Sequence, residues 1–272
     1  MKNVKKIILY TVVVLLAVIT FLPFLWMISA SFMHPGESSA YPPRLFPSDF
    51  TLMHYKDLFT RLNLTTYLLN SLVISLGVTF FSLFLNSMAG YAFAKYRFAG
   101  KKKIFSLLLS SMIIPGQVTM LPVFLLLKSL GLINTYWAII IPGMASIFGI
   151  FLIRQFAMGI PDSLIEAAKI DGAGDTEVYL RIILPLCRPI LLTLGIFTFM
   201  GTWNDFLWPL IVMTDSSKYT MPVALANLMG EHVQDTELMM AGSVLTILPV
   251  VLVFLALQKY YIKGIMMGSV KG

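Results

Sequence analysis

The sequence is poor in the residues that soluble chemistry uses. It holds one cysteine, three histidines and 13 acids among 272 residues, and only 12% of its positions are charged. With Cys187 alone, no disulfide can close within the chain. Neither CxxC nor HExxH occurs, so a structural zinc site or a zinc hydrolase would lack its usual ligands. His34, His54 and His232 fall outside the apolar runs and far apart, which gives no metal site and no catalytic cluster. No GxxxxGKS or GxxxxGKT occurs, so the chain lacks the backbone cradle and lysine that hold ATP phosphates. No nucleophile and base share a recognisable spacing in one loop, and an enzyme is not expected.

What the chain has is apolar surface. Its hydrophobic content is 58%, its mean hydropathy is +0.84, and the apolar residues come in long runs without face periodicity. That is an integral membrane protein. The net charge of +7 and pI near 9.4 arise from short basic clusters beside apolar runs, a pattern of membrane topology and not of a nucleic-acid partner. Ile7–Ile28 is about 33 Å of helix against a hydrocarbon core of about 30 Å, so it can span. Lys2, Lys5 and Lys6 before it resemble a signal-peptide start, but the run is too long for an h-region and no small-residue cleavage site follows, so a retained helix is expected. Further spans read as 67–94, 104–127, 136–156, 190–213 and 241–261, making six. All but five of the 20 basic residues, Arg44, Lys56, Arg61, Lys128 and Lys218, then fall on the side of the amino terminus, which predicts both termini in the cytoplasm. The class expected is an all-α polytopic membrane protein. Met221–Met229, on the outer side, reads as a short interfacial helix.

One stretch breaks the pattern: Glu166–Pro185, EAAKIDGAGDTEVYLRIILP, holds six charged residues between the fourth and fifth spans. Ser163-Leu-Ile-Glu166 has capping-box spacing, which predicts a helix from about Leu164. Gly172 and Gly174 supply left-handed positions to close it, and Asp175 can cap a second helix through Tyr179 to Leu184. Ala167 and Ala168 give the first helix a small-residue face that another surface could approach closely. The residues alone leave two readings open, a docking surface or a solvated loop whose Glu166 caps its own helix.

Glu166, Ala167, Ala168, Gly172, Ile182, Leu184 and Pro185 fit EAAx3Gx9IxLP without a gap, and the chain is identified by them as resembling the permease subunits of binding-protein-dependent ABC importers. Tyr41–Phe59, the stretch TWNDFLWPLIV and the ending QKYYIKGIMMGSVKG are similar to the carbohydrate-uptake branch, in particular its smaller maltose-permease type of subunit. The resemblance implies the type I permease fold of ABC importers, with residues 1–66 as a first helix and outer segment, 67–262 as the permease core with a coupling loop at 158–188, and 263–272 as a cytoplasmic tail. It implies that Glu166, Ala167, Ala168, Asp171, Gly172, Ile182, Leu184 and Pro185 couple to a separate ATPase, and that Gly268, Val270, Lys271 and Gly272 make a second contact with it. The partners implied are a homologous second permease, two copies of an ATP-binding subunit, an extracytoplasmic sugar-binding protein, a sugar and membrane lipid. No cofactor is expected on this chain; ATP and magnesium belong to the partner. The location implied is a bacterial or archaeal cell membrane.

Asp205 is the one acid inside an expected span, where a charge is costly unless it faces a cavity or a partner. With Trp203 and Trp208 beside it, it reads either as an interface-level acid in an aromatic belt or, with Trp203 and Asn204, as part of the sugar path or the partner contact. Asn70, Asn86 and Ser87 are expected to bridge helices, and the 17 methionines to pack. The competing function is an ion-coupled secondary transporter or channel, which would usually carry ionisable groups near the midplane.

Overall fold

A computed structural model describes residues 2–42, 44–231 and 235–269. Helices α1 (Lys2–Ala30), α2 (Met53–Thr60) and α3 (Leu64–Lys95) come first. After them run α4 (Lys101–Ser111), α5 (Gly116–Ser129), α6 (Trp137–Gly143) and α7 (Ile147–Met158). The charged insert follows as α8 (Asp162–Ile170), α9 (Asp175–Val178), a π-helical turn over Tyr179–Ile183, and α10 (Leu184–Leu186). The chain ends with α11 (Arg188–Trp203), α12 (Leu207–Val212), α13 (Met221–Glu231) and α14 (Thr236–Ser269). No strand occurs among the described residues.

Among the described residues four stretches are long and apolar enough to cross a membrane: Lys5–Ala30, Leu64–Lys95, Trp137–Met158 and Thr236–Lys259. The number becomes six if each of two bent pairs is one span. The expected third span is one of these pairs, α4 and α5 meeting at 104° just before Gly116, where Pro115 fixes an extended backbone. The expected fifth span is likewise interrupted. Its helix stops at Trp203 and resumes at Leu207, and the bend of 76° lies at its start, between Leu186 and Arg188.

The chain forms two compact units, one of residues up to Leu68 with Met221–Pro249, the other of Leu69–Thr220 with the helix from Val250. In the first, α13 exists as expected, and Met221, Val223, Ala224 and Leu228 on it are buried against protein. His54 is also buried there, its Nε2 2.9 Å from the Met33 carbonyl oxygen, a structural role for that ring. The second unit has two cores. One joins Tyr91 of α3, Ile153 and Ala157 of α7, Val178 and Ile183 of the insert, and Ile190 and Leu194 of α11. The other joins Ile74 and Val78 of α3, Ala138–Ile140 of α6 and Trp208 and Val212 of α12.

Helix α3 is the element common to both cores. Gly90 lets it approach α7 so closely that a Cβ there would sit 2.7 Å from the Ile153 Cβ. Such small-residue contacts replace the hydrophobic effect as the source of helix association in lipid. The polar residues expected to bridge helices do so. The Asn70 amide donates to the Ser217 and Tyr219 carbonyls and accepts from the Tyr136 hydroxyl, and Asn86 Oδ1 accepts the Ser146 N–H that opens α7.

Candidate functional site

The insert is a helix, a glycine turn and a second helical arm. Helix α8 begins at Asp162, two residues before the expected start, and no side-chain cap forms. Pro161 holds the N-cap position with an extended backbone, so Ser163 is already helical and cannot adopt the conformation a cap requires. Asp162 in the first turn supplies the negative charge that a helix N-terminus favours. At the other end, Gly172 has φ +89°, the left-handed conformation that closes α8, and the Ala173 N–H returns to the Ala168 carbonyl. Gly174 differs from expectation. Its backbone is extended and it takes the N-cap of α9, the place foreseen for Asp175.

The Asp175 carboxylate instead pairs with Lys169 across the turn at 2.9 Å. That hydrogen bond and charge pull the Asp175 carboxyl below, and the Lys169 ammonium above, their ordinary ranges. Lys95, the last residue of α3, does the same at the start of the insert: its ammonium donates to the Ile160 carbonyl and, at 2.6 Å, to Asp162, whose carboxyl it lowers. Arg181 and Glu177 pair at i,i+4. Three of the insert's charges that sequence alone offers to a partner, Asp162, Asp175 and Glu177, are thus matched within the chain.

What remains outward is specific. Ile165 and Ala168 turn inward against the core, while Ser163, Glu166, Ala167 and Asp171 are exposed and Ile170 is 86% exposed. An isoleucine so uncovered beside a small alanine, one turn apart, forms a shallow apolar step ringed by charge. The second arm is held differently. Tyr179 packs on Tyr91 at 5.8 Å between ring centres and its hydroxyl lies 2.6 Å from Ser87 Oγ, while Ile183 is buried, Leu184 and Ile182 are half-buried and Pro185 is exposed. Lys95 and Tyr91 escaped the sequence reading, which gave Ser87 a helix-bridging role and Tyr179 a place in the second helix without pairing the two. The run YAFAKYR, a lysine and aromatics closing an apolar stretch, was the signal available.

A second group lies where α11 gives way to α12. Trp203 is buried and stacks on Phe199 at 5.8 Å, Asn204 is exposed and donates to the Met200 carbonyl, and Asp205 is half-buried, accepting the Trp208 N–H at 3.4 Å. Asp205, Thr119, Thr202, Val78 and Trp208 line a cavity of about 260 Å³, beside Gly116, where α5 begins, and Pro142 and Gly143 of α6. Three interrupted helices therefore meet at one cavity with one acid in its wall. Of the expected tail contacts, Gly268 lies in the last turn of α14, while Val270, Lys271 and Gly272 lie outside the described residues.

Helices long and apolar enough to cross a membrane, a helical insert anchored to them, and a largely apolar cavity with one acid among broken helices fit the membrane component of a transport system. Comparison with known proteins gives the family. Residues 82–266 match the model of the binding-protein-dependent transport system inner membrane component, and the chain belongs to that family. It is 38% identical over 260 residues to the arabinooligosaccharides transport system permease protein AraQ of Halalkalibacterium halodurans, covering 94% of this chain and 93% of that protein. It is 30% identical to the lactose transport system permease protein LacG of Rhizobium radiobacter, covering 99% and 98%. Among solved structures it is similar in fold to a chain of a bacterial ABC transporter involved in the import of the acidic polysaccharide alginate, with a TM-score of 0.86 and 23% identity over 95% of this chain and 97% of that one.

Proposed function

We propose that this chain is the permease subunit of a sugar-importing ATP-binding-cassette transporter, spanning the membrane six times with both termini in the cytoplasm. A sugar-binding protein outside delivers the ligand. This chain and a homologous second permease form the path, and two copies of an ATP-binding subunit, using ATP and magnesium, drive it. Sugar as the cargo class rests on the relatives, among them permease proteins of an arabinooligosaccharides and a lactose transport system. Residues 1–66, 67–262 and 263–272 serve as first helix with outer segment, permease core and tail.

The observation that carries the reading is the outward face of α8. Glu166, Ala167 and Asp171 stand exposed around Ile170 on a helix whose inner face is anchored, an apolar centre with a charged rim that has the anatomy of a protein-docking surface. Gly172 sets the angle of that face, and Ile182, Leu184 and Pro185 join it to the membrane helices. The tail residues Gly268, Val270, Lys271 and Gly272 add a second contact with the ATPase. Asp205 and Asn204 offer polar groups to the path, with Trp203 holding the helix end from which they project.

The test is uptake by the reconstituted complex in proteoliposomes. The reading expects sugar accumulation that requires ATP and loaded binding protein. Uptake that survives ATP depletion and collapses with an ion gradient would overturn it in favour of a secondary transporter.

A further inference from the structure

The insert could pass its motion to the membrane through either of its arms. The second arm is continuous in sequence with α11, which makes α11 the obvious receiver. Its geometry argues otherwise. Between α9 and α11 stand a π-helical turn, Pro185 and a bend of 76° at Cys187, so a push along the arm is turned aside before it reaches α11. The first arm, α8, is also set off from α7, by residues 159–161, but there a side chain from another helix bridges the break and holds it. The Lys95 ammonium donates to the Ile160 carbonyl and to Asp162, binding the first turn of α8 to the end of α3. Its own side chain is 10% exposed, whereas that of Asp162 is 73% exposed, so the lysine is fixed by its surroundings and the insert is what it holds.

From Lys95 the helix α3 runs back as a rod. Tyr91 stacks on Tyr179, Ser87 bonds its hydroxyl, and Gly90 seats the helix against Ile153. Val78, seventeen residues from Lys95 or about 26 Å of helix, lines the cavity that holds Asp205 and touches Gly143, where a Cβ would lie 2.8 Å from Val78 Cγ1. Asn70 fixes the next two turns through Ser217, Tyr219 and Tyr136.

We propose that α3 is the lever of this permease and that Lys95 is the positioning residue which latches the insert to it, so that displacement of α8 moves the Val78 wall of the Asp205 cavity. The proposal rests on the coupling role given to the insert above and names the element that receives the motion. Lys95 touches neither ATP nor sugar; it acts through Ile160 and Asp162. A residue that merely stabilised the fold would lower the amount of complex, whereas a latch sets how much transport each ATP yields.

The experiment uses the full complex in proteoliposomes. Lys95→Met is expected to leave ATP hydrolysis responsive to the loaded binding protein while sugar moved per ATP falls about fivefold or more, the lower end of ordinary coupling energies. Wild-type stoichiometry in Lys95→Met overturns the latch. A second measurement decides even where that variant assembles poorly. In a Cys187→Ala background, Lys95→Cys and Asp162→Cys are joined by a short bis-maleimide, which replaces the latch covalently. The cross-linked complex is expected to keep coupled uptake, since α8 and α3 move together. Loss of uptake on cross-linking, with uptake retained after a monofunctional maleimide, means that the two must part, and overturns it. If the unmodified complex shows no ATP-dependent uptake, the coupling reading itself fails, an outcome distinct from failure of the latch.

Discussion

The insert and the break between α11 and α12 both interrupt apolar helices with polar residues, and they treat those residues in opposite ways. At the insert, Lys95 meets Asp162, Lys169 meets Asp175, Arg181 meets Glu177 and Tyr179 meets Ser87. At the break, Asn204 donates to backbone four residues back, Asp205 accepts from backbone three residues on, and Asp205 lines the cavity. At the insert side chains pair with side chains, two of the pairs reaching back to α3, whereas at the break bonds to nearby backbone leave Asp205 in the wall of a cavity. Exposed ion pairs add little stability one by one, so what the pairs at the insert contribute is position.

The difference can be attacked from either side. The largest effect is expected at the fastened region. Gly90→Leu drives a side chain into Ile153 and should destabilise the chain by about 1–3 kcal/mol, seen as a lower Tm in detergent. Gly201→Ala, close to the break, meets nothing within 4 Å and should leave Tm unchanged or raise it, since alanine favours the helix. Equal losses at the two glycines would erase the contrast.

Next comes Asp205→Asn, which keeps the shape and removes the charge. The expected result is a change in uptake of about tenfold or more, the scale of one hydrogen bond to a charged group, with Tm unmoved. A fall in Tm with unaltered uptake would make Asp205 a packing residue like Trp203. Smaller again is Tyr179→Phe, which removes the bond to Ser87 and should cost about 1 kcal/mol of stability, read by denaturation.

The smallest effect is on pH. The Asp175 carboxyl lies below its ordinary 3.8 in the folded chain because of Lys169. Its contribution is therefore complete above that value and is lost as pH falls through the depressed one. Hydrogen-exchange protection factors across residues 168–176, corrected for the intrinsic rate at each pH, should hold down to about pH 4 and fall below it, a dependence that Lys169→Met removes.

How much of this was legible depended on the kind of signal. Gly172 and Gly174 marked a turn between two helices because backbone conformation is written in single residues, though only Gly172 takes the left-handed form. Spans were legible because hydropathy is a sum over a run, which also hides breaks. Pro115 did not show that α4 and α5 meet at 104°, and nothing in TWNDFLWP showed that the helix stops after Trp203. Faces were illegible, since a membrane helix is apolar all round and its periodicity does not tell lipid from core. Lys95 is 67 residues from Asp162, and such a pairing exists only in three dimensions.

The central claim, that the outward face of α8 docks an ATP-binding subunit, is tested most directly by co-purification. Ala167 is exposed beside Ile170, so Ala167→Trp should not disturb the fold of this chain. The account predicts that the variant keeps its Tm and retains at least about tenfold less ATP-binding subunit than the unaltered chain, the loss expected when the centre of an interface is blocked. Full retention of that subunit, with undiminished ATP-driven uptake, would contradict it.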